Sequence, residues 1–125
     1  MPTRRIFSLT LLATCAATLS TPTLAQAPYP DRPVKVIVAL PAGGSVDMIA
    51  RVVSQKLAAE MGQPFVVDNR AGASGQIGVP AVAKAAPDGY TLMVSPASFL
   101  TTNKSIWKAL PYNPETDFTP ITKLV

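Results

Sequence analysis

Residues 39–47, Ala-Leu-Pro-Ala-Gly-Gly-Ser-Val-Asp, combine the residue types that let a backbone bind an anion. An apolar run from Val34 to Leu40 stops at a proline and two glycines, and an amphipathic helical pattern starts at Ser45. The first turn of a helix leaves its N–H groups unpaired, and the helix dipole places partial positive charge there. Gly43 and Gly44 carry no Cβ, so an anion can approach those groups closely. Ser45 reads as the N-cap, and Asp47 falls in the first turn, where a negative side chain suits the dipole. The loop is built to hold a carboxylate or similar anion without a cationic side chain.

A second glycine loop, Arg70-Ala71-Gly72-Ala73-Ser74-Gly75, follows the short apolar stretch Phe65–Asn69. Its glycines continue through Gly78 as GxxGxxG rather than GxGxxG, and no acidic residue ends a following strand about 20 residues on, which argues against a dinucleotide site. No Gly-Lys-Ser/Thr follows either loop, which removes a Walker P-loop. Ser45, Ser74, Ser95 and Ser98 lie outside any GxSxG, and the sequence has 0 histidines to activate a serine. Asp47, Asp68 and Asp88 have no metal-ligand spacing. The expectation is no catalysis, no metal and no cofactor. Trp107 and Tyr112 are expected to pack against the body of the domain.

The elements that position these loops follow from hydrophobic period. Val34–Leu40 reads as a strand covered on both sides. Val46, Ile49, Ala50, Val53 and Leu57 recur at helical spacing up to Met61, with Gly62 as C-cap. Phe65–Asn69 is a second strand. Gln76–Ala85 is helical, its start drawn toward Val79 because proline, here Pro80, is tolerated only in a first turn. Thr91–Ser95 is a third strand. Residues Ile106–Pro114 read as irregular, and Asp117–Val125 as a loop entering a strand. The order β-loop-α-β-loop-α-β implies an α/β fold with neighbouring parallel strands and right-handed connections. It also places three strand ends and their loops at the edge where open α/β sheets bind ligands.

The N-terminus reads as an export signal. Arg4 and Arg5 precede an uncharged stretch, Ile6–Leu19, too short to span a bilayer, and small residues follow. Cleavage falls after Ala25 or after Ala27; Ala25 is preferred because the alternative leaves Pro28 first. Thr3-Arg4-Arg5-Ile6-Phe7 also resembles the opening of a twin-arginine signal, and both export routes stay open. Cys15, the 1 cysteine, would leave with residues 1–25, so the remainder has no thiol chemistry. Loss of Arg4 and Arg5 takes Lys+Arg from 11 to 9 against 7 Asp+Glu, and the net charge from +4 to about +2. With no basic cluster, nucleic acid is not an expected partner.

Taken in order, several stretches resemble the periplasmic solute receptors of tripartite tricarboxylate transporters, the Bug-type binding proteins. They are Tyr29-Pro30-Asp31-Arg32-Pro33-Val34; Pro41-Ala42-Gly43-Gly44-Ser45-Val46-Asp47; Gly62-Gln63-Pro64-Phe65-Val66-Val67-Asp68-Asn69-Arg70; Gly72-Ala73-Ser74-Gly75-Gln76-Ile77-Gly78; Pro87-Asp88-Gly89-Tyr90-Thr91-Leu92; and Leu110-Pro111-Tyr112-Asn113-Pro114 with Asp117-Phe118. The resemblance implies a parallel-sheet lobe of a Venus-flytrap receptor that takes a small carboxylate and passes it to a membrane permease. It implies ligand contacts at Gly43, Gly44, Ser45 and Asp47, at Ala73, Ser74 and Gly75, and more weakly at Ser95 and Ser98. Asp47 is expected to hold its loop rather than touch the anion. Ala42 and Val46 depart from a frequent proline and threonine, and Val46 lacks a hydroxyl donor. Family members are about three times longer, so the sequence is expected to be an N-terminal piece: residues 1–25 signal, 26 to about 105 the first lobe, then the start of the crossover, with the second lobe missing. A ligand sensor for a two-component system is the second functional class, a non-functional fragment another, and a small exported hydrolase is disfavoured by the missing histidine.

Overall fold

The computed structural model describes residues 28–124, and the export-signal reading of residues 1–25 lies outside them. Three strands form one parallel sheet: β1 (Val34–Val38), β2 (Phe65–Asn69) and β3 (Thr91–Val94), in the order β2-β1-β3. The connections are helix α1 (Ser45–Met61) and helix α2 (Gly78–Ala83), and a one-turn helix α3 (Asn103–Ile106) follows β3.

β1 takes the centre because its composition suits it. Val34, Val36, Ile37 and Val38 are all buried, whereas β2 carries Asp68 and Asn69 at an edge. β2 and β3 are therefore not neighbours: the second crossover passes over β1. α1 packs on β1 and β2, and α2 on β3 and β1. Right-handed crossovers running in opposite directions put the two helices on opposite faces of the sheet. A core of Ala39, Val79, Phe99 and Tyr112 fills the α2 side, with Leu40, Ala83, Met93 and Phe118 against it.

Register aligns the loops. Val38 is level with Asn69 on one side and Val94 on the other. The three strands thus end together, and the loops that follow leave from one edge. β1 stops at Val38 rather than Leu40 because both partners end there. β3 likewise ends at Val94, leaving Ser95 outside it.

α1 begins and ends at the expected residues. Gly62 is left-handed (φ 71°) and its N–H reaches Ala58 O. α2 is shorter than the sequence pattern, starting at Gly78 with Pro80 in its first turn. α3 was not anticipated; four residues are too few to show a helical period. The strand expected after Asp117 does not form among the described residues. Ile121 and Leu124 are exposed there and find no strand to pair with. Among the described residues, no helix is long and apolar enough to cross a membrane.

Candidate functional site

The first loop is shaped by one carboxylate. Gly44, not Ser45, occupies the N-cap position (φ −78°, ψ 170°), and Ser45 is already helical. Gly43 adopts a left-handed turn (φ 85°) with open space where a Cβ would be. That turn directs its N–H to Asp47 Oδ2 at 2.8 Å. Asp47 thus caps the helix from within, which displaces the Ser45 hydroxyl from the expected capping role.

Asp47 is 3% exposed and both of its oxygens are engaged. Arg51 Nε donates to Oδ2 at 3.0 Å, and Asn69 Nδ2 donates to Oδ1 at 2.9 Å. Arg51 Nη2 then donates to Asn69 Oδ1 at 3.1 Å, and Asn69 Nδ2 also reaches Leu40 O at 3.3 Å. The Arg51 hydrogen bond, then the Gly43 and Asn69 bonds, lower the Asp47 pKa to about 2; burial opposes this with a smaller effect. The carboxylate is buried, carries no proton at neutral pH and is committed to holding the loop. The Gly43 N–H is likewise spent, on Asp47 Oδ2. The ladder of α1 starts with Met48 N to Gly44 O at 3.0 Å. The amides of Ser45, Val46 and Asp47 lie ahead of it, at the positive end of a 17-residue helix where Ser45 is exposed, Val46 half-buried and Asp47 buried.

The second loop is a strained turn rather than a helix N-terminus. Residues Ala73–Gly75 form a 3-10 turn three residues ahead of α2. Ala73 (φ 46°) and Ser74 (φ 53°) are both left-handed without being glycine. Such conformations cost about 1–3 kcal/mol each and cluster at functional sites. Gly75 is buried, and its N–H donates to Gly72 O at 3.0 Å. It also lets the Phe99 ring approach: a Cβ there would lie 2.7 Å from Phe99 Cε2. Gly75 is thus a packing position with a spent donor. Ala73 and Ser74 are exposed residues, and their amides and the Ser74 hydroxyl make no hydrogen bond among the described residues. Gln76 Nε2 is buried and has no hydrogen-bond partner among the described residues. Such a donor is uncommon in a folded chain.

Ser95 follows β3 directly, and Ser98 sits in the next 3-10 turn, Ala97–Phe99. Both leave from the same sheet edge as the other loops. Tyr112 is buried, as expected; Trp107 is 41% exposed and does not pack inside. Arg51 is tied to Asp47, and Arg70 pairs with Asp68 at 3.0 Å, so both arginines nearest the loops are partnered. Two surface depressions lie elsewhere. One of about 410 Å³ runs between α1 and β2, and one of about 300 Å³ lies beside Trp107 and Lys108.

Arg51, Asn69, Phe99 and Asn103 were not singled out in the sequence. Asn69 at a strand end before a loop carried a readable signal, since asparagine favours local backbone bonding there.

Comparison with known proteins agrees with the geometry. A UPF0065 protein of Bordetella bronchiseptica is 44% identical over 115 residues, 92% of this chain and 34% of the relative. A solved R. palustris protein with adipate superposes with a TM-score of 0.71 at 41% identity, covering 74% of this chain and 31% of that one. MatC from Rhodopseudomonas palustris with bound malate gives 0.70 at 38% identity, with the same coverage. The chain therefore spans about a third of the length of the relatives it matches, and its α/β sheet corresponds to one lobe of the periplasmic binding proteins. The profile described as the Tripartite tricarboxylate transporter family receptor matches residues 49–125, and the chain belongs to that family.

Proposed function

We propose that this chain supplies one wall of an exported receptor that captures a small carboxylate and delivers it to a membrane permease of the tripartite type. The observation that carries the reading is the pair of loops at one sheet edge, whose free donors are backbone amides and serine hydroxyls. The Ser45 and Val46 amides at the start of α1 face anions through the helix dipole. The Ala73–Ser74 amides and the Ser74, Ser95 and Ser98 hydroxyls add neutral donors. Neutral donors select for hydrogen-bonding anions over cations, and the lone pairs of a carboxylate accept several at once. The relatives solved with adipate and malate bind dicarboxylates, which supports the class. The receptor role places the protein in the periplasm and calls for no catalytic group.

One wall holds such a ligand weakly, because water replaces every contact a facing lobe would make. Amide NMR titration of the chain lacking residues 1–25 tests this. Malate or adipate is expected to move the Ser45, Val46, Ala73 and Ser74 amides at roughly millimolar concentration, while the corresponding neutral diamide leaves them in place. Equal response to the diamide, or no response to either, defeats carboxylate capture. Micromolar affinity defeats the one-wall reading.

A further inference from the structure

The second loop is held in a conformation that its own residues disfavour. Ala73 and Ser74 are consecutive left-handed residues with side chains, and each places a Cβ against the following carbonyl. Such a turn persists only where its surroundings over-determine it. Here the surroundings come from the segment after β3. Asn103 is buried, and its Nδ2 lies 3.3 Å from Ser74 O and 3.3 Å from Tyr112 Oη. An amide nitrogen has two hydrogens, and these two acceptors use both. The Tyr112 hydroxyl passes its own proton to Phe99 O at 2.6 Å. The Phe99 ring in turn closes on Gly75. The donors run in one direction, from Asn103 to Ser74 and from Asn103 through Tyr112 to Phe99. One branch ends on the loop itself, and the other on the backbone carbonyl of Phe99, the residue whose ring packs against the loop.

We propose that Asn103 is a positioning residue for ligand capture: by holding the Ser74 carbonyl it keeps the Ala73–Ser74 turn left-handed and its amides presented at the sheet edge. The ligand part of this rests on the carboxylate reading above; the conformational part does not. Asn103 touches no ligand and acts through Ser74. Its counterpart on the first loop is Asn69, which holds Leu40 O and Asp47 in the same manner. In each case an asparagine that follows the next strand, or ends it, braces the loop before it.

The test uses NMR on the chain lacking residues 1–25, with malate as probe. In Asn103→Ala, the intraresidue Hα–HN contact and coupling of Ser74 are expected to lose their positive-φ signature. Malate response at Ala73 and Ser74 is expected to weaken roughly tenfold, with the Ser45 and Val46 response retained. Adding Ala73→Gly, which lowers the cost of a left-handed turn, is expected to restore the Ala73–Ser74 response. A merely structural Asn103 gives no such rescue. Retention of the Ser74 positive φ in Asn103→Ala overturns the proposal, as does failure of the glycine rescue. If the alanine variant does not fold, Asn103→Asp keeps the size and loses the donor. Unfolding of both variants also overturns the proposal, in favour of a purely structural role. Absence of malate response in the parent chain defeats the carboxylate reading instead, and the Ser74 φ still scores Asn103.

Discussion

A single carboxylate sets the first loop, and its protonation can be read from outside. Asp47 accepts from Arg51, Gly43 and Asn69, and these bonds hold its pKa at about 2 against an ordinary 3.8. A carboxyl whose folded value lies below its unfolded one adds stability that is fully present above the unfolded value. That stability is lost as pH falls through the folded value. The window is therefore about pH 4 down to about pH 2. Urea unfolding at a series of pH values is expected to show an acid decline there in the parent chain. Asp47→Asn should be less stable at neutral pH and flatter across that window, and an unchanged acid limb would refute the assignment. At this scale the sequence was partly legible. An acid in the first turn after Gly43-Gly44 announces a loop-holding role, because local spacing decides it. Arg51 lies one helical turn from Asp47, within reach of a local reading; the partnership of Asn69 with Asp47 was not legible, because Asn69 is 22 residues away in the chain and meets it only through strand register. Ala73 and Ser74 were also opaque. Glycine advertises a left-handed turn, whereas alanine and serine do not.

Elements meet most tightly where α2 crosses β1. A Cβ on Gly78 would lie 2.7 Å from Ala39 Cβ, 2.8 Å from Ala39 Cα and 2.8 Å from Arg70 O. None of these atoms can swing away, since two are on or next to backbone and the third is the only side-chain atom of alanine. Gly78→Ala is expected to cost about 1–3 kcal/mol in urea unfolding, as overpacking does. Gly62→Ala strains the left-handed cap without a clash, because nothing lies within 4 Å, and is expected to cost about 1–2 kcal/mol. A Gly78→Ala variant as stable as the parent would show that α2 does not sit as described. The type and order of the three strands, α1 and α2 were legible from hydrophobic period, and α1 most of all, because 17 residues carry several turns of pattern; α3 and the segment after Asp117 were not. Strand order was not. β1 sits between β2 and β3 because it is apolar on both faces, a preference of the sheet as a whole rather than of adjacent segments.

At the scale of the whole molecule the two ends of the sheet do different work. The C-terminal edge carries the loops. The N-terminal edge carries a clasp made from two stretches far apart in sequence, Tyr29–Arg32 and Asp88–Tyr90. Tyr29 Oη donates to Gly89 O at 2.7 Å, and Tyr90 Oη donates to Asp31 Oδ1 at 2.6 Å while accepting from Asp31 N at 3.0 Å. Arg32 pairs with Asp88 at 3.0 Å and lies 3.9 Å over the Tyr90 ring. Two stretches that the family resemblance marked separately are thus halves of one structural contact, at the end away from the loops. The ends carry opposite pH signatures. The hydrogen bond to Asp31 raises the Tyr90 pKa above the ordinary tyrosine value. A raised folded value means stability present below the unfolded value and lost as pH rises through the folded one, so the clasp loosens on the alkaline side and the first loop on the acid side. Tyr90→Phe is expected to lower stability at neutral pH and flatten only the alkaline limb. It should leave the acid limb and the malate response of Ser45 and Val46 as in the parent, whereas Asp47→Asn should do the converse on both counts. Comparison of the two limbs in both variants therefore asks whether the molecule divides its ends. A Tyr90→Phe chain whose acid limb or malate response shifts with the alkaline one would show that they are coupled through β1.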